Sequence, residues 1–142
     1  MLALAAAIVI AVATGVGLEL SHSSSGEKYT IALHPVSGLA ASGQVVATQT
    51  GNGWSVELTA AHLANLGPGK FYECWWLGPD DRPGHPDLIE AGTFTVGSSG
   101  TVTIPLQSAA NPDDFPSIEI TTGNARSTLP GQTVMVGVAS DD

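Results

Sequence analysis

Residues 45–59, VVATQTGNGWSVELT, consist of two β-branched runs joined by Gly51-Asn52-Gly53. Glycine and asparagine tolerate the positive φ angles that a tight hairpin turn demands. This stretch therefore predicts two antiparallel strands with a short turn between them. Short β-branched or aromatic runs of the same kind, separated by Gly, Pro, Asn and Asp clusters, continue on both sides of it.

These runs recur at intervals of roughly 8 to 12 residues, a spacing typical of all-β sandwiches and barrels. They predict eight strands, near Tyr29–His34, Gln44–Thr50, Trp54–Thr59, Lys70–Leu77, Gly92–Val96, Thr101–Leu106, Ser117–Thr121 and Thr133–Val138. No predicted helix is long enough to connect parallel strands. We therefore expect an all-β fold, an antiparallel immunoglobulin-like β-sandwich of about eight strands.

Two details concern the connections and the edges of this fold. Gly97-Ser98-Ser99-Gly100 lies between TFTV and TVTI and predicts a second hairpin. Pro105 has no N–H to donate to a neighbouring strand, which indicates that its strand lies at a sheet edge or contains a bulge.

The N-terminal residues differ in composition from the rest of the chain. Met1–Leu18 contains no charged residue, and about 20 residues suffice for a helix to cross a bilayer core of about 30 Å. The following residues, Ser21–Gly26 (SHSSSG), are small and polar, as in a flexible tether. The expected organisation is a transmembrane helix over residues 1–20, a tether over 21–27 and a folded domain over 28–142.

A secretory signal peptide is the alternative for this N-terminal segment. Ala11-Val12-Ala13 resembles a cleavage site, but no Lys or Arg precedes the apolar stretch as such peptides require. In that case the mature chain is a secreted or surface-anchored β-sandwich that binds or adheres to a partner. The missing charged flank before Leu2 instead predicts that the chain begins part-way along a longer protein.

Charge and cysteine content exclude several functions. The 142 residues carry a net charge of -9 with four scattered basic residues, so we expect no nucleic-acid partner. The one cysteine, Cys74, cannot form an internal disulfide, and its sequence distance from His85 and Met135 does not match a blue-copper ligand set. The loop Asp80–Glu90 is rich in oxygen ligands but lacks a calcium-loop pattern. We expect no cofactor, no metal and no enzymatic activity.

The segment Phe71–Leu77, FYECWWL, is the most unusual predicted strand, because it is apolar on both alternating faces apart from one acid. Alternation places Tyr72, Cys74 and Trp76 on one face, which we expect to be the core. Glu73 and Trp75 then share the other face. There Glu73 either pairs with a Lys or Arg across the sheet or, together with Trp75, lines a surface that contacts a ligand.

Several segments, in this order, resemble the extracytoplasmic domain of membrane-anchored anti-sigma factors of the RskA-like family. The motifs that carry the resemblance are a Tyr-Glu-x-Trp strand (Tyr72, Glu73, Trp75), an Ala-Gly-x-Phe strand (Ala91, Gly92, Phe94), an Ile-Thr strand (Ile120, Thr121) and a closing Gly-x-x-Val (Gly131, Val134).

The resemblance implies a single-pass protein of the cell membrane whose β-domain is an extracytoplasmic sensor. In that family a cytoplasmic segment holds an extracytoplasmic-function sigma factor, and a site-1 protease followed by an intramembrane protease releases it. The 142 residues contain no such segment, so sigma-factor binding would need residues outside them. The protease-accessible residues would be those of the tether, namely Ser21, Ser23, Ser24, Ser25 and Gly26.

Overall fold

The computed structural model describes residues 26–139, which form eight strands joined by turns and loops. The strands are β1 (Lys28–Pro35), β2 (Ser42–Thr50), β3 (Gly53–Ala61), β4 (Lys70–Leu77), β5 (Leu88–Phe94), β6 (Val102–Ser108), β7 (Ser117–Asn124) and β8 (Thr133–Val138). Every predicted strand is present, and the predicted bounds of β4 and β8 are confirmed.

The eight strands form one continuous antiparallel sheet in the order β5-β4-β7-β8-β1-β2-β3-β6. Strand β1 joins its two halves, because Lys28–Leu33 pairs with β2 whereas His34–Pro35 pairs with β8. The edge strands β5 and β6 contact each other, so the sheet curls into a nearly closed barrel. The predicted antiparallel all-β fold of eight strands is confirmed. The two sheets expected of a sandwich are joined into one, since β1 changes partner along its length.

The two predicted hairpins have different outcomes. Thr50 pairs with Gly53 across the first turn, as predicted. The turn Gly97–Gly100 instead connects β5 to β6, which pair with β4 and β3 and form opposite edges of the sheet. Pro105 lies in the edge strand β6, which confirms the edge position inferred from its missing N–H.

The core fills the inside of the curled sheet. Tyr72, Cys74 and Trp76 are almost fully buried on the inner face of β4, as the alternation predicts. Tyr72 stacks on Phe94 of the neighbouring β5, with ring centroids 5.4 Å apart. Such pairs of aromatic rings add stability beyond the apolar area that they bury.

Because neighbouring strands are antiparallel, the loops of the barrel collect at two ends. The amino-terminal end contains Gly26 and Glu27 together with the loops at residues 51–52, 78–87 and 109–116. The far end contains the loops at residues 36–41, 62–69, 95–101 and 125–132. Hydrogen bonds between separate segments hold each end together, for example from Leu63 N to Gly100 O at the far end (3.0 Å).

The predicted transmembrane helix over residues 1–20 and the predicted tether residues Ser21–Ser25 lie outside the described residues. Among residues 26–139, no helix has the length and apolar character needed to cross a bilayer.

Candidate functional site

The side chains of Glu73 and Trp75 both bond to Thr121 on the outer face of the sheet. Strand β4 pairs with β7 so that Glu73 lies opposite Thr121. The Trp75 indole Nε1 donates to Thr121 Oγ1 at 3.0 Å, and the same hydroxyl donates to Glu73 Oε2 at 3.1 Å. A threonine hydroxyl can accept one hydrogen bond while donating another, so Thr121 connects the two side chains of β4.

These side chains are buried although they lie outside the barrel. Glu73 is 4% exposed and Trp75 is 5% exposed, which contradicts the expectation that they line an accessible ligand-binding surface. The partner of Glu73 is also a hydroxyl rather than the Lys or Arg expected across the sheet. A small neighbour explains the burial, because a Cβ built on Gly123 would lie 2.5 Å from the Glu73 carboxyl carbon. The carboxylate occupies the space that any other residue at position 123 would fill.

Gly26 and Glu27 are held against β2 at the amino-terminal end. Gln49 N donates to Glu27 O at 2.8 Å, which extends the backbone pairing of β1 and β2 by one residue. A side chain at Gly26 would collide with the Gln49 carbonyl oxygen. The last two residues of the predicted tether therefore belong structurally to the barrel.

The Tyr29 hydroxyl forms a polar contact beside this point. It lies 2.6 Å from Asp113 Oδ1 and 3.0 Å from Glu27 Oε1, and thus ties β1 to the loop before β7. Its hydrogen bond with Asp113, together with desolvation and the bond with Glu27, raises the pKa of Tyr29 well above its usual value. The Tyr29 ring packs edge-on against Trp54, with centroids 5.5 Å apart.

At the far end, a mainly apolar cavity of about 220 Å³ lies between the ends of the two halves of the sheet. Its walls come from five chain segments: Leu39, Ala40 and Ala41; His62, Leu63, Ala64 and Leu66; Tyr72; Thr122; and Gln132 and Val134. A second cavity of about 310 Å³ adjoins it, sharing Leu66, Thr122 and Gln132, and is also lined by Lys70 and Asn124.

Two residues shape the first cavity. The Tyr72 hydroxyl donates to Ala64 O at 2.7 Å, fixing the loop after β3 over the mouth of the barrel, and burial raises the pKa of Tyr72. His62 has a φ of 59°, the one positive φ of a non-glycine residue in the part of the chain that the structure describes. This left-handed conformation is uncommon outside glycine, although histidine adopts it more often than most residues. It reverses the chain at the end of β3 and brings Leu63 inward, where it is 4% exposed.

Nothing in the described part of the chain supports nucleophilic or metal chemistry. Cys74 is fully buried, and desolvation raises the pKa of its thiol to about 12. A thiol that stays protonated is neither a nucleophile nor a metal ligand. Within residues 26–139, no group of three or more His, Cys, Asp or Glu side chains is placed to hold a metal ion.

The family described as "Anti-sigma-K factor rskA, C-terminal" matches residues 1–133, which is nearly the whole chain. The chain belongs to this family. No protein in the curated set matches it. Membership identifies an anti-sigma factor domain of a membrane-associated family and indicates a sigma factor as the regulated partner.

In this anti-sigma factor domain, the sequence motifs of the resemblance lie close together in three dimensions. Glu73 and Trp75 of the Tyr-Glu-x-Trp strand meet Thr121 of the Ile-Thr strand. Gly92 of the Ala-Gly-x-Phe strand, with a φ of 148°, lies where β4 and β5 shift register between Cys74 and Trp75. These motif residues therefore build the outer face of the barrel wall and its bulge.

Sequence reasoning missed the far-end cavity of the anti-sigma factor domain. Its lining residues are common apolar and small polar types in loops, and no motif distinguishes them. The one local pattern in this region is that of Thr59–Leu66, whose sequence predicts one or two helical turns ended by Gly67-Pro68-Gly69. In the structure, residues 59–61 end β3, and the cavity is lined by His62, Leu63, Ala64 and Leu66.

Proposed function

We propose that this chain is the extracytoplasmic regulatory domain of a membrane-anchored anti-sigma factor, and that proteolysis of its N-terminal tether controls the sigma factor. The family match over residues 1–133 carries the proposal. In this proposal the domain has a regulatory, non-enzymatic role. Sigma-factor binding is assigned to a cytoplasmic segment outside the 142 residues, joined to the barrel through the apolar residues 1–20.

The hydrogen bonding of the barrel supports the tether as the cleavage point. A protease needs an extended backbone whose N–H and C=O groups are free to enter its active site. From β1 to β8 the strands are paired in antiparallel ladders, and the pairing of Glu27 with Gln49 extends this protection to the start of the barrel. The best candidate peptide bonds on the N-terminal side therefore precede Gly26, among Ser21–Ser25.

Cleavage there has a simple consequence. It leaves the barrel intact and separates it from the apolar segment, which removes a bulky folded domain from the site that an intramembrane protease would use. The proposed sequence is site-1 cleavage in Ser21–Ser25, then cleavage within residues 1–20, then release of the sigma factor with its cytoplasmic segment.

Replacing Ser23, Ser24 and Ser25 with proline tests this proposal. Proline fixes φ and lacks an N–H, so a triple-proline tether is a poor protease substrate. The matched control replaces the same residues with alanine, which changes the side chains but leaves the backbone cleavable. Both variants of the full-length protein are expressed in cells under the inducing condition, and the released barrel is followed by immunoblotting and N-terminal sequencing.

We expect release of the wild-type and alanine proteins with a new N-terminus between Ser21 and Gly26, and little release of the proline variant. Equal release of the two variants, or cuts confined to the strands, would contradict the proposal. A mature N-terminus at Thr14 in the culture supernatant would support a secreted binding module in its place.

A further inference from the structure

Charged residues are segregated along the barrel axis. The segments of the amino-terminal end contain six acids, at Glu27, Asp80, Asp81, Asp87, Asp113 and Asp114. The loops of the far end contain no Asp or Glu, although the chain as a whole carries a net charge of -9. Two cations lie near these loops, Arg126 in the last loop and Lys70 at the start of β4, while the Glu73 carboxylate is buried in the barrel wall against Gly123. An anion approaching this domain is therefore repelled at one end and tolerated at the other.

The apolar cavity opens at the end without acids. Leu63 and Val134 supply buried walls, and Leu39 at the rim remains 42% exposed. The adjoining cavity adds Lys70, with Leu66 forming part of both walls. An apolar chamber thus lies next to a polar one that carries a positive charge.

We propose that the far end of the barrel binds a small amphipathic carboxylate. Its alkyl chain fills the apolar cavity, and its carboxylate lies in the adjoining cavity beside Lys70. The cavity of about 220 Å³ has room for an alkyl chain of several carbons. Octanoate serves as the reference ligand. The proposal does not depend on tether cleavage, and its test uses a different readout.

The test measures binding of straight-chain carboxylates from butanoate to dodecanoate to the full chain in lipid nanodiscs. The readout is the NMR signals of Leu and Val methyl groups, which report on Leu63, Leu66 and Val134 individually. Burial of each methylene should tighten binding about fourfold, because about 0.8 kcal/mol per methylene is gained. The gain should stop at the chain length that fills the cavity.

Ala40→Trp and Ala64→Trp fill the cavity from exposed positions on its rim. The matched control is Ala109→Trp, an exposed alanine at the amino-terminal end. We expect at least tenfold weaker octanoate binding in the two rim variants and unchanged binding in the control. Equal effects of rim and control variants would mean that octanoate only partitions into the nanodisc lipid, and the proposal would fail.

Lys70→Gln tests the carboxylate half of the proposal, with Lys28→Gln at the start of β1 as its control. Octanoate affinity should fall about twofold to fivefold in Lys70→Gln, as expected for an exposed ion pair, while affinity for uncharged octanol stays constant. No saturable shift with any carboxylate, or a shift with a hydrophobic tripeptide alone, would overturn the assignment.

Discussion

The hydroxyl of Thr121 is expected to be the most important single polar atom for the stability of this barrel. Thr121→Val keeps the shape of the side chain and removes the hydroxyl that joins Trp75 Nε1 to Glu73 Oε2. A buried neutral hydrogen bond contributes about 1 kcal/mol and one to a charged acceptor about 2 kcal/mol. The substitution leaves a buried indole N–H and a buried carboxylate without these partners. The expected loss is therefore about 3 kcal/mol of unfolding free energy.

Equilibrium urea unfolding of the 142-residue chain in a mild detergent, followed by tryptophan fluorescence, measures this loss. In a domain of this size, about 3 kcal/mol corresponds to a drop of roughly 10 °C in Tm. Thr93→Val is the matched control, because Thr93 lies opposite Glu73 on the neighbouring strand and is exposed. The control should change stability by less than about 0.5 kcal/mol.

A double-mutant cycle separates the two hydrogen bonds. Trp75→Phe removes the indole N–H, and its coupling with Thr121→Val should be about 1 kcal/mol. The reasoning would be refuted if Thr121→Val cost less than about 1 kcal/mol, or no more than Thr93→Val. Either result would mean that water or another group replaces the hydroxyl at little cost.

Three further predictions concern other positions. Gly123→Ala should destabilise the barrel by about 2 kcal/mol or more, because the new methyl group would overlap the Glu73 carboxylate, whereas Gly97→Ala, with open space around it, should be neutral in the same urea titration. The Cys74 thiol should not react with Ellman's reagent at pH 8 in the folded protein and should react fully in denaturant, since its pKa is raised to about 12; rapid labelling of the native chain would contradict its burial. Because the pKa of Tyr29 is raised in the folded protein, its contribution to stability is complete below a pH of about 10 and is lost as the pH rises beyond that value. The Tm of the wild type should therefore fall more between pH 9 and pH 11 than the Tm of Tyr29→Phe. Equal falls in Tm would show that Tyr29 is not the titrating group.

Local sequence patterns were sufficient to find all eight strands, although β5 begins at Leu88 rather than at the predicted Gly92. Turn residues with a defined conformational preference mark the ends of most of these strands, and the Gly51-Asn52-Gly53 hairpin is the clearest case. The alternation within β4 also identified its core face correctly at Tyr72, Cys74 and Trp76. These features depend on residues within a few positions of one another, which is why a single sequence reveals them.

The order of the strands was not accessible in the same way. Gly97–Gly100 has the composition of a hairpin turn, yet β5 and β6 pair with β4 and β3. The choice between pairing with each other and pairing with earlier strands depends on which arrangement buries both apolar faces. The far-end cavity depends on the same choice, because its walls come from loops that meet only after the sheet has curled.

The burial of Glu73 shows a limit of predicting exposure from the alternation of side chains along a strand. Alternation assigns a side chain to one face of a strand, but it does not specify what covers that face. Here Thr121 of the neighbouring strand β7 accepts a hydrogen bond from the Trp75 indole N–H and donates one to the Glu73 carboxylate. Gly123 has no side chain and so leaves room for that carboxylate. From the residue types of β4 alone, Glu73 either pairs with a Lys or Arg across the sheet or shares a ligand-contacting surface with Trp75. The pairing of β4 with β7 instead places Glu73 and Trp75 in a buried hydrogen-bonded group.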